Sequence, residues 1–409
     1  MHLIMILKSV LEEVAKSQAK NLKRFDYGID RELLNKIAFR QGFALIISGI
    51  RRSGKSTLAM QAAKKLRKFY YFNFEDPRVK GIDAQDLVRL DEVLKEAFGE
   101  SDYYLFDEIQ NVKDWEAFVR SRLNSEGKFI ITGSNASLLS KELGTKLTGR
   151  NLIYELFPFS FKEFLEFKKL KASLRSFDEY FNEGGFPEYL RFGDSTILTA
   201  LLNGIISRDI LARYKIRSQQ VLTKMAIYLL SSVGREFTYN GLSNLFGVGS
   251  VNTAVSFVSY LEDSYLIFTI PKFDYSLRKQ AINPKKVYSV DNGLTLANSI
   301  SNAEDKGRLL ENLAFLGLRR NHKSIFYFKG KKECDFLVKE KNKIVSAIQV
   351  CYQVNDENRE REFSGLEEAM SEFSLDNGMI LTYKQEDEIT LHGKKVYIIP
   401  LWKWLLNIN

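Results

Sequence analysis

The segment GIRRSGKST, Gly49–Thr57, has residue types and a spacing that suit the binding of a phosphate chain. Gly49 and Gly54 permit backbone angles that point several N–H groups at one anion, and a following helix adds its positive end. Lys55 can neutralise the terminal phosphates, and Ser56 can offer its hydroxyl oxygen to Mg²⁺. The predicted nucleotide contacts are Gly49, Arg51, Arg52, Ser53, Gly54, Lys55, Ser56 and Thr57.

Two arginines stand between the glycines, where such a loop bulges outward. Arg51 and Arg52 can balance the charge of a triphosphate, contact a lid, or reach a neighbouring subunit. They are equally compatible with two solvated side chains on an anion-binding loop. The sequence leaves these alternatives open.

The segments around the loop match what the motif requires. Phe43–Ser48, FALIIS, is a short continuous apolar run, which is typical of a buried parallel strand. Ser56–Phe69 follows as a predicted amphipathic helix. A strand, a glycine loop and a helix in this order are the context in which the motif binds phosphate.

A pair of carboxylates follows another apolar strand, in DYYLFDEIQ at Asp102–Gln110. Asp107 ends that strand and can hold Mg²⁺ through water, while Glu108 can polarise an attacking water. Such a pair alone is compatible with an ordinary charged strand end. Downstream of a phosphate loop, it predicts that Ser56 and Asp107 are the metal ligands and that Glu108 is catalytic.

A third predicted strand, KFIITGSN at Lys128–Asn135, ends on polar residues and resembles the sensor segment of AAA-type ATPases. Ser134 or Asn135 would then read the γ-phosphate or align water, and we assign this catalytic role to Asn135. Arg150, in LTGRN, is the third predicted catalytic residue, since an arginine there can stabilise transition-state charge from a neighbouring protomer. The alternative for Arg150 is a surface arginine at a strand start.

Five segments occur together in a recognisable order: SGIRRSGKSTL, YLFDEIQ, FIITGSNASLL, LTGR and FNEGGFPEYL. On them the chain resembles the AAA-type P-loop ATPase family that is common in archaea and also found in bacteria. The resemblance covers most of the chain and is densest in residues 40–215. It implies a parallel sheet with the P-loop ATPase strand order, a helical lid, a winged helix and a C-terminal restriction-endonuclease-like domain.

The predicted fold class is therefore α/β, with a P-loop NTPase parallel sheet and three further modules in 409 residues. We place the P-loop AAA-type ATPase core at 1–155 and the helical lid at 156–222. The winged-helix module follows at 223–290. A degenerate restriction-endonuclease-like α/β domain completes the chain at 291–409.

The winged-helix segment predicts three helices and a β-ribbon. Such a module usually binds DNA through its third helix, but Ser250–Asp263 contains no lysine or arginine. The nearby cations lie in the predicted wing and are Lys272, Arg278, Lys279, Lys285 and Lys286. The sequence thus predicts either a grip on the DNA backbone through the wing or a protein contact through the helix.

The last domain has the layout of a nuclease core, with Glu311 on a helix and Asp335 on a strand. Glu333 shares the face of Asp335, so the three can hold one metal ion. An active core adds a glutamate and a lysine on the next strand, where this chain has Gln349 and Cys351. Because these are poor substitutes, we predict a retained fold that contacts nucleic acid or protein instead of a working nuclease.

Composition excludes several classes of protein. No apolar run approaches the ~20 residues of a membrane span, and no small-residue cleavage site follows the short apolar N-terminal stretch. Two cysteines do not build a disulfide scaffold and agree with a cytoplasmic location. The formal net charge of +9 favours anionic partners only weakly.

The sequence therefore predicts a protein that binds ATP with Mg²⁺ and hydrolyses it, with the nucleotide state controlling the attached modules. One alternative is a switch that turns over rarely or a DNA-binding regulator, and another is an ATP-regulated, metal-dependent nuclease. The expected partners are ATP, double-stranded DNA and proteins that dock on the winged helix. We expect no membrane binding, and the chain can form oligomers.

Overall fold

The computed structural model describes residues 6–134, 147, 149–214, 216, 218–299 and 305–407. The chain divides into two compact units, Met1–Leu156 and Phe157–Asn409. Each unit has a hydrophobic core of its own. No helix in the described ranges is long and apolar enough to cross a bilayer.

A parallel sheet of five strands, all within the described residues, forms the centre of the first unit. The strands are β1 (Ala44–Ser48), β2 (Tyr70–Asn73), β3 (Tyr103–Asp107), β4 (Lys128–Gly133) and β5 (Asn151–Glu155). Their order across the sheet is β2-β3-β4-β1-β5, and every neighbouring pair is parallel. The predicted parallel sheet is confirmed, and the carboxyl ends of its strands meet at one edge.

Helices cover both faces of this sheet. They are α1 (Lys8–Leu22), α2 (Lys55–Ala63), α3 (Ala84–Phe98) and α4 (Trp115–Asn124), with short 3₁₀ turns at Glu32–Lys36, Pro77–Val79 and Ile109–Asn111. Successive side chains of a strand point to opposite faces of the sheet. Ile46 and Phe106 therefore lie in the core beside α1, α3 and α4, whereas Leu45 and Leu105 lie in the core beside α2. The strands are buried on both faces, which explains their continuous apolar runs.

Helix α2 ends at Ala63, six residues before the predicted end at Phe69. Four cations follow it closely, at Lys64, Lys65, Arg67 and Lys68. In a continued helix, Lys64 would face like charges three and four residues away, which is destabilising. The chain instead turns at this point, with the Leu66 N–H donating to the Ala63 carbonyl at 2.8 Å.

The second unit begins with helices, and its last element is also a helix. Its helices are α5 (Phe161–Lys168), α6 (Leu174–Glu183), α7 (Pro187–Phe192), α8 (Thr196–Gly204), α9 (Gln219–Leu230), α10 (Tyr239–Phe246), α11 (Val251–Asp263), α12 (Leu277–Ile282), α13 (Asn292–Asn298), α14 (Lys306–Arg319), α15 (Arg359–Glu372) and α16 (Leu401–Leu405). A π-helical stretch, Ile205–Leu211, and a helical turn, Ala212–Tyr214, continue α8.

Two sheets lie in this unit. The small antiparallel sheet has the order β6-β8-β7, from β6 (Glu236–Phe237), β7 (Ile267–Pro271) and β8 (Lys285–Ser289). The helices α9, α10 and α11 and this β-ribbon agree with the predicted elements of 223–290, whereas helix α12 between β7 and β8 was not predicted. The assignment of the segment as a winged helix stays a prediction.

The larger sheet has six strands in the described chain, in the order β13-β14-β12-β11-β10-β9. They are β9 (Ile325–Lys329), β10 (Glu333–Glu340), β11 (Lys343–Cys351), β12 (Asn377–Thr382), β13 (Asp387–Leu391) and β14 (Lys394–Pro400). β9, β10 and β11 are antiparallel, whereas β11, β12 and β14 are parallel. Cys334 and Cys351 are free thiols in the core that α15 forms with this sheet.

The first glycine of the pair in FNEGGFPEYL, Gly184, is required by a buried carboxylate. Asp291 accepts the Gly185 N–H at 2.6 Å and, at the start of α13, the Leu294 N–H at 2.9 Å. A Cβ on Gly184, where φ is 74°, would lie 2.2 Å from Asp291 Oδ1. No side chain larger than hydrogen fits there, so the turn after α6 is fixed by its contact with Asp291.

Asp291 gives a testable dependence of stability on pH. Burial raises its pKa from 3.8 to about 6, although the backbone N–H groups around it act in the opposite direction. The folded state therefore keeps a proton that the unfolded chain releases, and the free energy of unfolding falls as the pH rises from about 4 to about 6. A shift of about two units corresponds to a fall of about 3 kcal/mol.

Chemical denaturation of the wild type and of Asp291→Asn between pH 4 and pH 7 measures this contribution. The asparagine is neutral throughout, so the variant should lack the fall that the wild type shows. Asp305→Asn removes an exposed carboxylate at the start of α14 and should behave like the wild type. Equal slopes for Asp291→Asn and the wild type would contradict the assignment.

Candidate nucleotide-binding site

The loop between β1 and α2 depends on its two glycines. Gly49 has φ 156°, and a Cβ on it would lie 2.1 Å from the carbonyl oxygen of Leu156. Leu156 is fixed there because its N–H donates to the Ser48 carbonyl at 2.7 Å. Gly54 has φ 93°, in the left-handed region, and begins α2 without a side chain capping its first N–H groups. The first turn of α2 therefore presents N–H donors that have no partner within the helix.

Lys55 and Glu108 lie together at this edge of the sheet. The Lys55 side chain is only 4% exposed, and its Nζ donates to the Ile50 carbonyl at 3.1 Å. Its Nζ also lies 4.0 Å from Glu108 Oε1. A loop carbonyl and a carboxylate thus compensate the ammonium, and both can be exchanged for phosphate oxygens.

Asp107 is held by hydrogen bonds from four side chains. Ser56 Oγ donates to its Oδ1 at 3.0 Å, and the Thr132 hydroxyl donates to the same oxygen. On Oδ2 it accepts from the Tyr71 hydroxyl and from Asn73 Nδ2, both at 3.4 Å. Burial and then the neighbouring Glu108 charge raise the pKa of Asp107, whereas the hydroxyls of Thr132 and Ser56 lower it.

Glu108 has an unusual backbone conformation that aims its side chain. It has φ 56° and ψ 47°, in the left-handed region that few non-glycine residues adopt. Its N–H donates to Thr132 Oγ1 at 3.0 Å. Gln110 Nε2 donates to the Glu108 carboxylate and lies 3.3 Å from Ser134 Oγ. Thr132 and Gln110 thereby link the ends of β3 and β4.

The residues predicted for the loop differ in what they contact. Arg51 Nη2 lies 2.6 Å from Glu75 Oε1 in an ion pair, whereas Arg52 is exposed and has φ 63°. Ser53 Oγ is buried and has no hydrogen-bond partner in the described chain, and Thr57 is half-buried on α2. The unsatisfied Ser53 hydroxyl and the open first turn of α2 form a donor set that fits a phosphate group.

The structure places one of the other two predicted catalytic residues, Arg150, away from this group. Arg150 is exposed at the start of β5, and its Nη1 donates to Asn124 Oδ1 at 2.6 Å. This is the surface position that we named as the alternative for Arg150, and a role on a neighbouring protomer stays a prediction. Asn135 lies outside the described residues, while Ser134, the other sensor candidate, is buried beside Gln110.

Sequence reasoning missed a buried arginine behind the loop. Arg31 is 3% exposed, its Nη1 donates to the Ser53 carbonyl at 2.7 Å, and its N–H donates to Gln61 Oε1 at 3.3 Å. Gln61 Nε2 in turn donates to the carbonyls of Tyr27 and Ile29. The one signal in the sequence is Gln61 itself, a polar residue inside the apolar run of α2.

A second group of charged side chains lies in the second unit, and it corrects one prediction. Lys286, which we predicted as an exposed wing cation, is 3% exposed and forms ion pairs with Glu311, Glu333 and Asp335. The error arises because Lys286 faces inward on β8. Lys285 is half-buried on β8, whereas Arg278 and Lys279 are exposed on α12.

Gln349 and Cys351, the residues at the two positions where we compared the last domain with a nuclease core, also have hydrogen-bond partners. Gln349 Oε1 accepts the Asp335 N–H at 3.2 Å, and its Nε2 donates to Glu362 Oε2 at 2.8 Å. Cys351 Sγ lies 3.1 Å from the Gln353 carbonyl. Across the described ranges, no group of three His, Cys, Asp or Glu side chains is arranged to hold a metal ion. This includes Glu311, Glu333 and Asp335, which have the Lys286 ammonium between them.

Comparison with known proteins gives relatives in two domains of life. Residues 41–165 match the family described as an AAA domain, and residues 174–305 match a domain of unknown function. The uncharacterized protein MJ1544 of Methanocaldococcus jannaschii is 37% identical over 98% of this chain and 96% of its own length. An uncharacterized protein of Haemophilus influenzae is 31% identical over 78% of this chain and 84% of its own length.

Among solved structures, the Walker-type ATPase PABY2304 of Pyrococcus abyssi is 16% identical and has a TM-score of 0.41. The match covers 70% of this chain and 94% of that one. The AAA-domain match supports the predicted P-loop ATPase core at the level of the family. The winged-helix and restriction-endonuclease-like assignments stay predictions, since the matched domain at 174–305 has no known function.

Thr132 provides a test of the geometry at the sheet edge. Thr132→Val keeps the shape but removes the hydroxyl that serves both Asp107 and the Glu108 N–H, so two buried polar groups lose a partner. We expect a loss of about 1–3 kcal/mol in the free energy of unfolding, measured by chemical denaturation. Thr132→Ser keeps the hydroxyl and should lose clearly less. Equal losses in the two variants would show that packing of the methyl group matters and the hydrogen bonds do not.

Proposed function

Because the chain belongs to the same family as the protein MJ1544 of Methanocaldococcus jannaschii and carries an AAA domain, we propose that it binds ATP with Mg²⁺ and hydrolyses it. The loop Gly49–Thr57 is the proposed nucleotide site. The observation that carries the proposal is the meeting of Lys55, Ser56, Asp107 and Glu108 at one sheet edge, with Ser56 Oγ 3.0 Å from Asp107 Oδ1 and Lys55 Nζ 4.0 Å from Glu108 Oε1.

Ser56 and Asp107 would hold Mg²⁺, because hydroxyl and carboxylate oxygens are the ligands that this ion prefers. When bound, the ion supplies positive charge beside the phosphates. Lys55 exchanges its contacts with Ile50 and Glu108 for phosphate oxygens. That exchange leaves the Glu108 carboxylate free to orient and polarise the attacking water, which is the role we propose for it.

Gln110 is proposed as a positioning residue for Glu108. Its amide nitrogen contacts the Glu108 carboxylate and lies 3.3 Å from Ser134 Oγ, so it holds the carboxylate in one orientation after Lys55 has moved. No contact joins Gln110 to Lys55 or Ser56 among the hydrogen bonds of the described residues. Its effect should therefore fall on turnover more than on nucleotide binding.

The modules after the ATPase core are proposed to respond to the nucleotide state, and a protein partner is favoured over DNA. Helix α11 exposes Val251 and Val255, which are 42% and 39% exposed, and α10 exposes Leu245 at 59%. These side chains cannot pair with phosphates, and α11 has no lysine or arginine. The burial of Lys286 removes another cation from the wing. Apolar exposure on two neighbouring helices suits protein contact.

Turnover and calorimetry test the proposed ATPase. Glu108→Gln should bind Mg·ATP like the wild type but release phosphate roughly 10²–10⁴-fold more slowly, which is the usual contribution of a general base. Lys55→Ala should lose the heat of Mg·ATP binding. Lys65→Ala removes an exposed cation beyond α2 and should change neither measurement.

Three results would separate the alternatives. Absence of binding heat in the folded wild type, with no difference in Lys55→Ala, would overturn the proposal. Tight binding with negligible turnover, unchanged by Glu108→Gln, would identify a switch. Stimulation of turnover by duplex DNA would restore the DNA-dependent interpretation.

Gln110→Ala tests the positioning role separately. We expect the turnover number to fall about tenfold or more while the KM for Mg·ATP changes little, because only the orientation of Glu108 is lost. Gln110→Asn is too short to reach both Glu108 and Ser134 and should not restore full turnover. A variant that loses affinity and turnover in parallel would argue against positioning and for a general defect of the site.

A further inference from the structure

The carboxylate cluster of the second unit is built around a lysine. Lys286 Nζ lies 2.8 Å from Asp335 Oδ1, 2.8 Å from Glu333 Oε1 and 3.2 Å from Glu311 Oε1. The three carboxylates come from β10 and α14, while the lysine comes from β8 of the small sheet. The ammonium therefore has one carboxylate for each of its three N–H donors.

Other donors also contact the three carboxylates. The Tyr288 hydroxyl, also on β8, donates to Glu311 Oε1 at 2.7 Å. The Val350 N–H donates to Asp335 Oδ2 at 3.0 Å. Lys329 Nζ lies 3.5 Å from Glu333 Oε2. Each carboxylate thus contacts Lys286 and one further donor, and β8 supplies two of the donors.

The charges in the cluster are close to balance. Burial alone would lower the pKa of Lys286, but attraction to Asp335, Glu311 and Glu333 raises it well above the usual value, so it stays charged. Burial and then the neighbouring Asp335 charge raise the pKa of Glu311, which favours its neutral form. Lys286 and Lys329 then face Asp335 and Glu333, and no large excess of negative charge attracts a further cation.

We propose that the Lys286 ammonium takes the place that a divalent metal ion would occupy in this cluster. It closes the cluster to metal and joins β8 of the small sheet to β10 and α14. The proposal does not depend on ATP binding at the first unit. The role of Lys286 explains why the chain has three carboxylates at this position, which a nuclease-like layout would use to bind metal. It also agrees with the presence of Gln349 and Cys351 on the next strand.

The geometry distinguishes an ammonium site from a metal site. The nitrogen–oxygen distances of 2.8–3.2 Å are those of charged hydrogen bonds, whereas Mg²⁺ binds oxygen at about 2.0–2.1 Å. A divalent ion at the same point would repel the ammonium and would have to displace a side chain that is 3% exposed. Gln349 offers no substitute ligand, because its amide is bonded to the Asp335 N–H and to Glu362.

The test measures Mn²⁺ binding to the full chain without nucleotide, with electron paramagnetic resonance as the detection method. We expect the wild type and Asp335→Asn to bind the same amount of Mn²⁺, because the cluster of the wild type holds none. Lys286→Met keeps the length of the side chain and removes its charge, so it should gain one Mn²⁺ per chain. Lys286→Met combined with Asp335→Asn should lose that ion again, which assigns it to the cluster. Binding at the Ser56 and Asp107 site is the same in all of these proteins and cancels in the comparison.

Lys285→Met is the matched control, since it removes the neighbouring cation of β8 but leaves the cluster intact. It should bind no more Mn²⁺ than the wild type. Mn²⁺ binding by the wild type that depends on Asp335 would overturn the proposal, and this arm holds even where Lys286→Met does not fold. A folded Lys286→Met that gains no Mn²⁺ would also overturn it.

Discussion

The edge of the first sheet depends on a carboxylate that is buried and yet fully hydrogen-bonded. Asp107 is 2% exposed, and burying an ionised carboxylate is costly unless donors replace the lost water. The donors come from different elements: Ser56 from α2, Thr132 from β4, and Tyr71 and Asn73 from β2. One carboxylate thus fixes two neighbouring strands and the helix after the glycine loop, and this fixes the position of Lys55 as well.

Sequence alone predicts this site as far as local spacing reaches. The glycines, Lys55 and Ser56 lie within one short loop, and Asp107 and Glu108 end one apolar strand, so pattern alone predicts that these residues belong to one site. The parallel sheet that brings them together was implied by the family resemblance. Thr132 and Asn73 were missed because their closeness to Asp107 depends on strand order and register. In that register Asn73 pairs with Asp107, and β4 lies between β3 and β1. No spacing along the chain encodes either fact.

Lys286 shows a different limit of sequence reasoning. Lysines are rarely buried, so a lysine in a predicted wing is expected in solvent. Alternation along β8 places Lys286 and Tyr288 on one face, and this much could be predicted. The sequence does not show that this face meets Glu311 and Asp335, which lie 25 and 49 residues further along the chain. Long-range packing of two sheets decides the outcome, and the same alternation leaves Lys285 on the other side.

The two groups of carboxylates, one in each unit, therefore differ in how they hold the lysine beside them. At the glycine loop, Lys55 has one carbonyl contact and a carboxylate 4.0 Å away, so a phosphate can replace both at little cost. In the second unit, Lys286 has three carboxylates within 3.2 Å, and removing it would leave buried charges without compensation. The first arrangement suits a site that exchanges its ligand in each cycle. The second suits a permanent link between two parts of the fold. On this difference we base the proposal of a nucleotide site at the glycine loop and of a structural link in the second unit.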